Sequence, residues 1–358
     1  MRIANQPTLL KYIFLLICWQ TKNLFAVFLI CITTAVSASE YDEGKSAFER
    51  KDYAEAVRIW TIGGEKGDKS SQALLGAMYD NGQGVPKDLE KSLYWYKLAA
   101  VQGHPLAQFN VARLYFNGLG TKKNITEAVR WYKLAAQQGE VRSQFVLGLI
   151  YRDGSGVDEN NHEAFRFFKL AAEQGYSPAQ FYLAVMYSEA RSSFQDYTQA
   201  IRWYKLAGEQ GEKRAQHNLG RMYNNGEGVV QNYAEAIYWY KLAAAQGEAN
   251  SQYNLAMMYE KNQGVVQDYA EALRLYRLAA EQGSPRAQHK LSLMYALGYG
   301  VSENFKLAYV WANIAVANGK KDAVKTRDIA VGRLSPQEIS RAQQMAKRCL
   351  ESNYKQCD

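Results

Sequence analysis

Residues 105–140 read PLAQFNVARLYFNGLGTKKNITEAVRWYKLAAQQGE, and this stretch decides the fold. Ala107, Val111, Ala112, Leu114 and Tyr115 recur at intervals of three and four, the period that gathers apolar side chains on one face of a helix. That helix is predicted to stop at Asn117-Gly118-Leu119-Gly120, where glycine supplies left-handed backbone. A second helix opens at Asn124 with Glu127 three places on, the arrangement in which cap and partner satisfy each other's free amides. Trp131, Leu134 and Ala135 on one face and Ala128, Tyr132 and Ala136 on the adjoining one make it apolar over a wide arc. Such a helix must be covered twice, by its own partner and by a neighbouring pair.

The neighbouring pairs are written in the chain as repeats. Gly67, Gly103, Gly139, Gly175, Gly211, Gly247, Gly283 and Gly319 are spaced at 36 residues, and Tyr79, Tyr115, Tyr151, Tyr187, Tyr223, Tyr259 and Tyr295 keep the same period. So do the glutamines from Gln72 to Gln288, a small-residue column from Gly76 to Ser292, and an Asp or Asn cap column from Asp52 to Asn304. Residues 69–320 are therefore seven tandem units, and a period in this range means an all-α solenoid of stacked helix pairs. One such pair is not stable alone, so the ends need caps. Residues 39–68 look like a shortened first unit carrying Phe48, Tyr53, Ala56 and Trp60. In 321–358, Ser335-Pro336-Gln337-Glu338 opens a last helix to about residue 350. The unit at 177–212 lacks glycine in its turn, Ser188-Glu189-Ala190-Arg191-Ser192-Ser193, and must close it differently.

A small residue and Gln, then Leu-Gly-x-Met-Tyr, a Gly-x-Gly-Val turn, and Ala-x-x-Trp-Tyr-Lys-Leu-Ala-Ala-x-x-Gly make up the repeated motif. Gln72 to Tyr79 and Trp239 to Ala244 carry it closely. It resembles the Sel-like (Sel-one-like) repeat family, relatives of the tetratricopeptide repeats, over about 70% of the chain. The resemblance implies a right-handed superhelix of antiparallel helix pairs that serves as an adaptor or scaffold, with no shared catalytic residues and no cofactor. Exported bacterial members are linked to envelope assembly, signalling or host contact. One cysteine-rich branch is described as binding or hydrolysing β-lactams, which makes a cell-wall or β-lactam-processing hydrolase the alternative function. Its hallmark is a disulfide in each repeat, and the repeats here contain no Cys.

The first 38 residues carry Arg2, Lys11 and Lys22 and no acidic residue, then an apolar run from Leu24 to Ala35 and the small-residue ending Val36-Ser37-Ala38. This reads as an export signal cleaved after Ala38, which expects a periplasmic or secreted protein. An uncleaved membrane anchor is the rival, and it would place Lys22 near the bilayer centre at a cost of several kcal/mol. Lipidation of Cys31 is disfavoured by the preceding Ile30. The full chain has 43 Lys and Arg against 35 Asp and Glu, a formal charge of +8, and removal of the signal leaves +5. That excess is too modest for a nucleic-acid partner. Removal also takes Cys18 and Cys31 and leaves Cys349 and Cys357, a pair that can close a small loop in an oxidising compartment.

Reactive chemistry is sparse. His217 and His289 share a repeat position two units apart, about 20 Å at roughly 10 Å per packed helix layer, so no single metal ion holds both. His104 and His162 read as surface imidazoles at helix starts. The Gly-x-Gly turns follow helices rather than strands and lack the Gly-Lys-Ser/Thr order of a phosphate loop. The basic column Lys97, Lys133, Lys169, Lys205, Lys241 and Arg277 reads as a solvated face, with Glu173, Glu209 and Glu281 four residues after Lys169, Lys205 and Arg277.

Variation between units is the remaining signal. On the first helix the positions of Ser70, Ala73, Leu74 and Ala77 change from unit to unit, and their spacing makes one stripe. In the middle units the stripe and its surroundings present Phe109, Asn110, Arg113, Arg142, Phe145, Phe181, Tyr182, His217, Arg221, Tyr253 and Asn254. Aromatic and Arg residues interspersed with Asn are what recognition surfaces favour. The expectation is that the stripe faces outward along the concave side and binds a protein or peptide, with packing of Phe145 and Phe181 between units as the competing reading.

Overall fold

A computed structural model describes residues 40–189 and 193–357. The export-signal residues therefore lie outside the described residues, as does the centre of the glycine-less turn. Among the described residues there are helices and no strand, and no helix is long and apolar enough to cross a membrane. The chain divides into two compact units, unit 1 ending at Leu170 and unit 2 beginning at Ala171.

Unit 1 opens with α1 (40–49) and α2 (Tyr53–Glu65). The repeats follow as α3 (Lys69–Asn81) with α4 (Leu89–Val101), α5 (Pro105–Asn117) with α6 (Ile125–Gln137), and α7 (Val141–Asp153) with α8 (Asn161–Glu173), in whose last turn the boundary between the units falls. Unit 2 holds α9 (Ser177–Ser188) with α10 (Tyr197–Glu209), α11 (Lys213–Asn225) with α12 (Tyr233–Ala245), α13 (Ala249–Lys261) with α14 (Tyr269–Ala280), and α15 (Pro285–Leu297) with α16 (Phe305–Ala317). It closes with α17 (Ala323–Val331) and α18 (Pro336–Glu351). Helix α18 starts at the expected Ser335 box, with both halves of that box formed. Helix α17 was not foreseen.

The second helices are capped one-sidedly, which corrects the sequence expectation. Asn124 Oδ1 accepts the Glu127 amide at 3.1 Å, but the Asn124 amide donates to the Tyr115 carbonyl at 2.9 Å. The same bond joins Asp88 to Tyr79, Asn160 to Tyr151, Asp196 to Tyr187, Asn232 to Tyr223, Asp268 to Tyr259 and Asn304 to Tyr295. It fastens the start of the second helix to the last turn of the first, so Glu127 is left to pair with Arg130 instead. The glycine-less turn keeps its Asp196 bond to Tyr187 although its first helix ends at Ser188 and the following Glu189 is extended rather than left-handed.

In the other turns the first Gly closes the helix and the second makes a close approach. Gly120 has φ +64°, and a Cβ there would stand 2.3 Å from the Leu89 carbonyl oxygen of the preceding unit. The Gly-x-Gly motif is thus a stacking joint. At Lys261-Asn262 the closing residue is Asn, which tolerates the left-handed region at φ +57°.

The glutamine column is a buried ladder. Gln108 donates from Nε2 to the Ala100 carbonyl at 3.1 Å, and its Oε1 accepts from Gln138 at 2.7 Å. Gln72 with Gln102, Gln180 with Gln210, Gln216 with Gln246, and Gln252 with Gln282 repeat the second bond. Because each link joins the start of a first helix to the end of its own second helix, the pairs are antiparallel. In the last pair Asn318 bonds Gln288 and, through its amide, the hydroxyl of Tyr354. Tyr354 belongs to the loop closed by the Cys349–Cys357 disulfide. Around this frame the core is filled by small Ala residues and the large rings of Trp60, Tyr204, Tyr240, Tyr276 and Trp311.

Candidate functional site

The variable stripe is held rather than free. Every predicted stripe residue is at least half-buried, and Phe181 is 8% exposed. The cause is a second set of columns that only packing reveals, in which each ring at the stripe lies against the ring one position after the Trp column. In unit 1 Phe109 packs on Tyr132 at 5.8 Å between ring centres, and Phe145 packs on Phe168 at 6.0 Å. The Arg142 guanidinium covers the outer face of Phe109 at 4.1 Å and is held by Glu140. Arg113 pairs with Asp80, and Asn110 is half-buried on the same helix.

Unit 2 repeats the scheme. Phe181 packs on Tyr204 and Tyr182, with Arg214 over both rings. Tyr253 packs on Tyr276 under Arg286. Phe181 is therefore a packing residue, a correction to its reading as a contact residue.

Three of the predicted residues come together. His217, Arg221 and Asn254 line a cavity of about 460 Å³ between the first helices α11 and α13, with Tyr240 and Met257 as floor. Asn224, Asn225, Asn250, Met258, Gln263 and Arg286 complete its wall and were not singled out as site residues in the sequence. The 36-residue register relates Asn250 to Arg214 and Arg286, so the column including Arg142 was the signal that could have found Asn250 and Arg286.

The cavity's polar groups are oriented by one another. Asn254 donates to the Tyr240 hydroxyl at 3.1 Å, and burial pushes that phenol up to about 12. Arg221 pairs with Glu227 from the following turn. Arg286 donates to Asn250 Oδ1 at 3.1 Å. His217 Nδ1 lies 2.9 Å from Ser251 Oγ and 3.3 Å from Glu248, the carboxylate that caps α13 through the Ser251 amide. Burial holds the His217 imidazole below its ordinary value; Glu248 opposes this, while Arg221 and Arg286 add to it. The site thus offers carboxamides that can both donate and accept, a neutral imidazole and two guanidinium groups above an aromatic and thioether floor. That is equipment for recognising a polar chain with apolar side groups. Among the described residues no cluster of three or more His, Cys, Asp or Glu is placed to hold a metal ion.

His104, His289 and three members of the basic column have structural partners. His104 is half-buried and caps α5, its Nδ1 accepting the Ala107 amide at 3.3 Å, so it is not the solvated imidazole expected. His289 faces Thr326 of α17, and His162 is exposed. Lys97 sits 4.9 Å above the Tyr115 ring, Lys133 5.5 Å above Tyr151, and Arg277 6.0 Å above Tyr295. For these three the Tyr column supplies an aromatic partner eighteen residues on.

Comparison with known proteins agrees with the architecture. The Sel1 repeat family model matches seven times, at residues 69–104, 105–140, 141–176, 177–212, 213–248, 249–284 and 285–320. Among solved structures, a protective antigen of uropathogenic Escherichia coli displaying an SLR fold aligns with a TM-score of 0.79 at 30% identity, over 89% of this chain and 70% of that one. A Sel1 repeat protein from Oxalobacter formigenes aligns with a TM-score of 0.64 at 32% identity, over 81% of this chain and 85% of that one. No curated protein matches the chain.

Proposed function

The chain belongs to the Sel1 repeat family, and from that premise we propose that it is a non-enzymatic scaffold of the cell envelope or secreted fraction that holds a polypeptide partner along the stripe of its first helices. The observation carrying this reading is the cavity lined by His217, Arg221 and Asn254. Its side-chain amides match the alternating donors and acceptors of a peptide backbone, and its floor of Tyr240 and Met257 suits an apolar side chain. Export is supported by the signal-like residues 1–38 and by the Cys349–Cys357 disulfide, a bond that persists in oxidising compartments.

The test is affinity capture with the tagged mature protein from the envelope fraction of its source, read by mass spectrometry beside a variant carrying R221A, N250A and N254A. The expected result is a polypeptide retained by the wild type and lost from the variant, with helical circular dichroism unchanged. Equal capture by both proteins, or turnover of nitrocefin or peptidoglycan that point mutation abolishes, would overturn the proposal.

A further inference from the structure

Unit 1 carries a second surface that shares no residue with the cavity of unit 2. Two cavities of about 440 and 410 Å³ adjoin on the second-helix side, and Lys133 and Gln137 line both. Tyr151, Phe167 and Leu170 wall the first, while Val129, Leu134 and Val157 wall the second.

The first cavity lies where the repeat departs from itself. The position held by Trp95, Trp131, Trp203, Trp239 and Trp311 is Phe167 here, a side chain one ring smaller, and Leu275 is the other departure. Phe167 still stacks on Tyr151, with ring centres 5.8 Å apart and planes 7° from parallel, so the missing ring leaves an aromatic-walled notch. Charge is arranged around it unevenly. Arg130 and Arg166 are tied to Glu127 and Glu163, whereas Lys133, between the two cavities, makes no ion pair among the described residues. The Lys133 ammonium rests over Tyr151 without a carboxylate partner, while Glu163 at the first hollow is taken by Arg166, so the cleft favours an anion flanked by apolar groups.

We propose that this cleft docks a short segment of a partner polypeptide with an aromatic anchor, an acidic residue and an aliphatic anchor. The aromatic ring enters the Phe167 notch, the carboxylate meets Lys133, and the aliphatic side chain lies against Val129, Leu134 and Val157.

The probes are N-acetyl-Trp-Glu-Leu-amide and its Gln counterpart, titrated into the mature protein and followed by saturation-transfer NMR. The Glu peptide is expected to bind about threefold more tightly than the Gln peptide, the size of an exposed ion pair. F167W, which installs the residue the same position accepts in five other units, is expected to weaken both peptides at least about tenfold by filling the notch. K133Q is expected to erase the Glu preference and keep the binding, and R221A to change neither. Absence of transfer to either peptide, undiminished binding by F167W, or a Glu preference surviving K133Q would overturn the proposal. Loss of binding in R221A would do so too, by placing the peptide in the other cavity.

Discussion

Gln138 and Gln108, thirty residues apart, are joined by a 2.7 Å hydrogen bond from Nε2 of the first to Oε1 of the second. Gln108 is buried and passes its own amide proton to the Ala100 carbonyl. One side chain therefore links three helices. Replacing Gln108 by Leu removes both of its hydrogen bonds, leaving the Ala100 carbonyl with the Gly103 amide alone, and should cost about 2 kcal/mol in chemical denaturation, whereas Gln138→Leu, at an exposed position, should cost about 1 kcal/mol or less. Gln108→Glu should be worse than Leu, because a carboxylate cannot donate to Ala100 and brings a buried charge.

Two glycines with the same backbone sign should respond differently to a methyl group. Gly103 has φ +82° with nothing within 4 Å of a built Cβ, so Gly103→Ala meets only the left-handed strain of about 1–2 kcal/mol. In Gly120→Ala the methyl also meets the Leu89 carbonyl, which is backbone and cannot swing aside. The loss in Gly120→Ala should exceed that in Gly103→Ala by more than about 1 kcal/mol in paired denaturation curves.

The carboxyl-terminal loop should depend on its disulfide. Cys349 and Cys357 are both buried, and the loop they close presents the Tyr354 hydroxyl to Asn318 at the end of the glutamine ladder. Replacing both cysteines by Ser should lower stability by about 2–3 kcal/mol, the loop-closure expectation for eight residues. Tyr354→Phe should lower it by about 1 kcal/mol with the disulfide intact. Thermal melts with and without reductant test the first; amide exchange at α16 tests the second.

Mild acid should destabilise the protein through its histidines. Burial is the largest cause holding His104, His217 and His289 below their ordinary value. The unfolded chain then takes up protons first, so stability is whole above the unfolded value of about 6.5 and declines as pH falls through that value toward the folded ones. His104 adds a specific loss, because a protonated Nδ1 cannot accept the Ala107 amide. His104→Asn, which keeps a capping acceptor that does not titrate, should flatten part of the fall in melting temperature between pH 7 and 5.

Much of the architecture was legible because repetition multiplies a weak local signal. The Asp and Asn caps, the closing glycines and the helix periods each occur several times in one register, and the helices begin and end where they indicate. Local reading failed where the partner is remote in sequence. Nothing near Asn124 says that its amide belongs to Tyr115, and nothing near Phe181 says that Tyr204 and Arg214 enclose it. Variation among units marked the stripe, but variable positions also hold rings of different size against the second helix of their own pair, and Ala73 and Phe181 are buried.

By itself the sequence determined that seven helix pairs of one kind must stack, since each unit repeats a wide apolar face that it cannot cover alone. Tertiary structure alone decided which polar and aromatic side chains meet. The glutamine ladder, the cations over tyrosines and the cavity of His217, Arg221 and Asn254 all bring together groups eighteen or more residues apart. The physical reason is range. Backbone periodicity and capping act within a helical turn or two, whereas a side chain's contacts depend on how closely neighbouring pairs approach, a distance set by the volumes of all the residues packed between them.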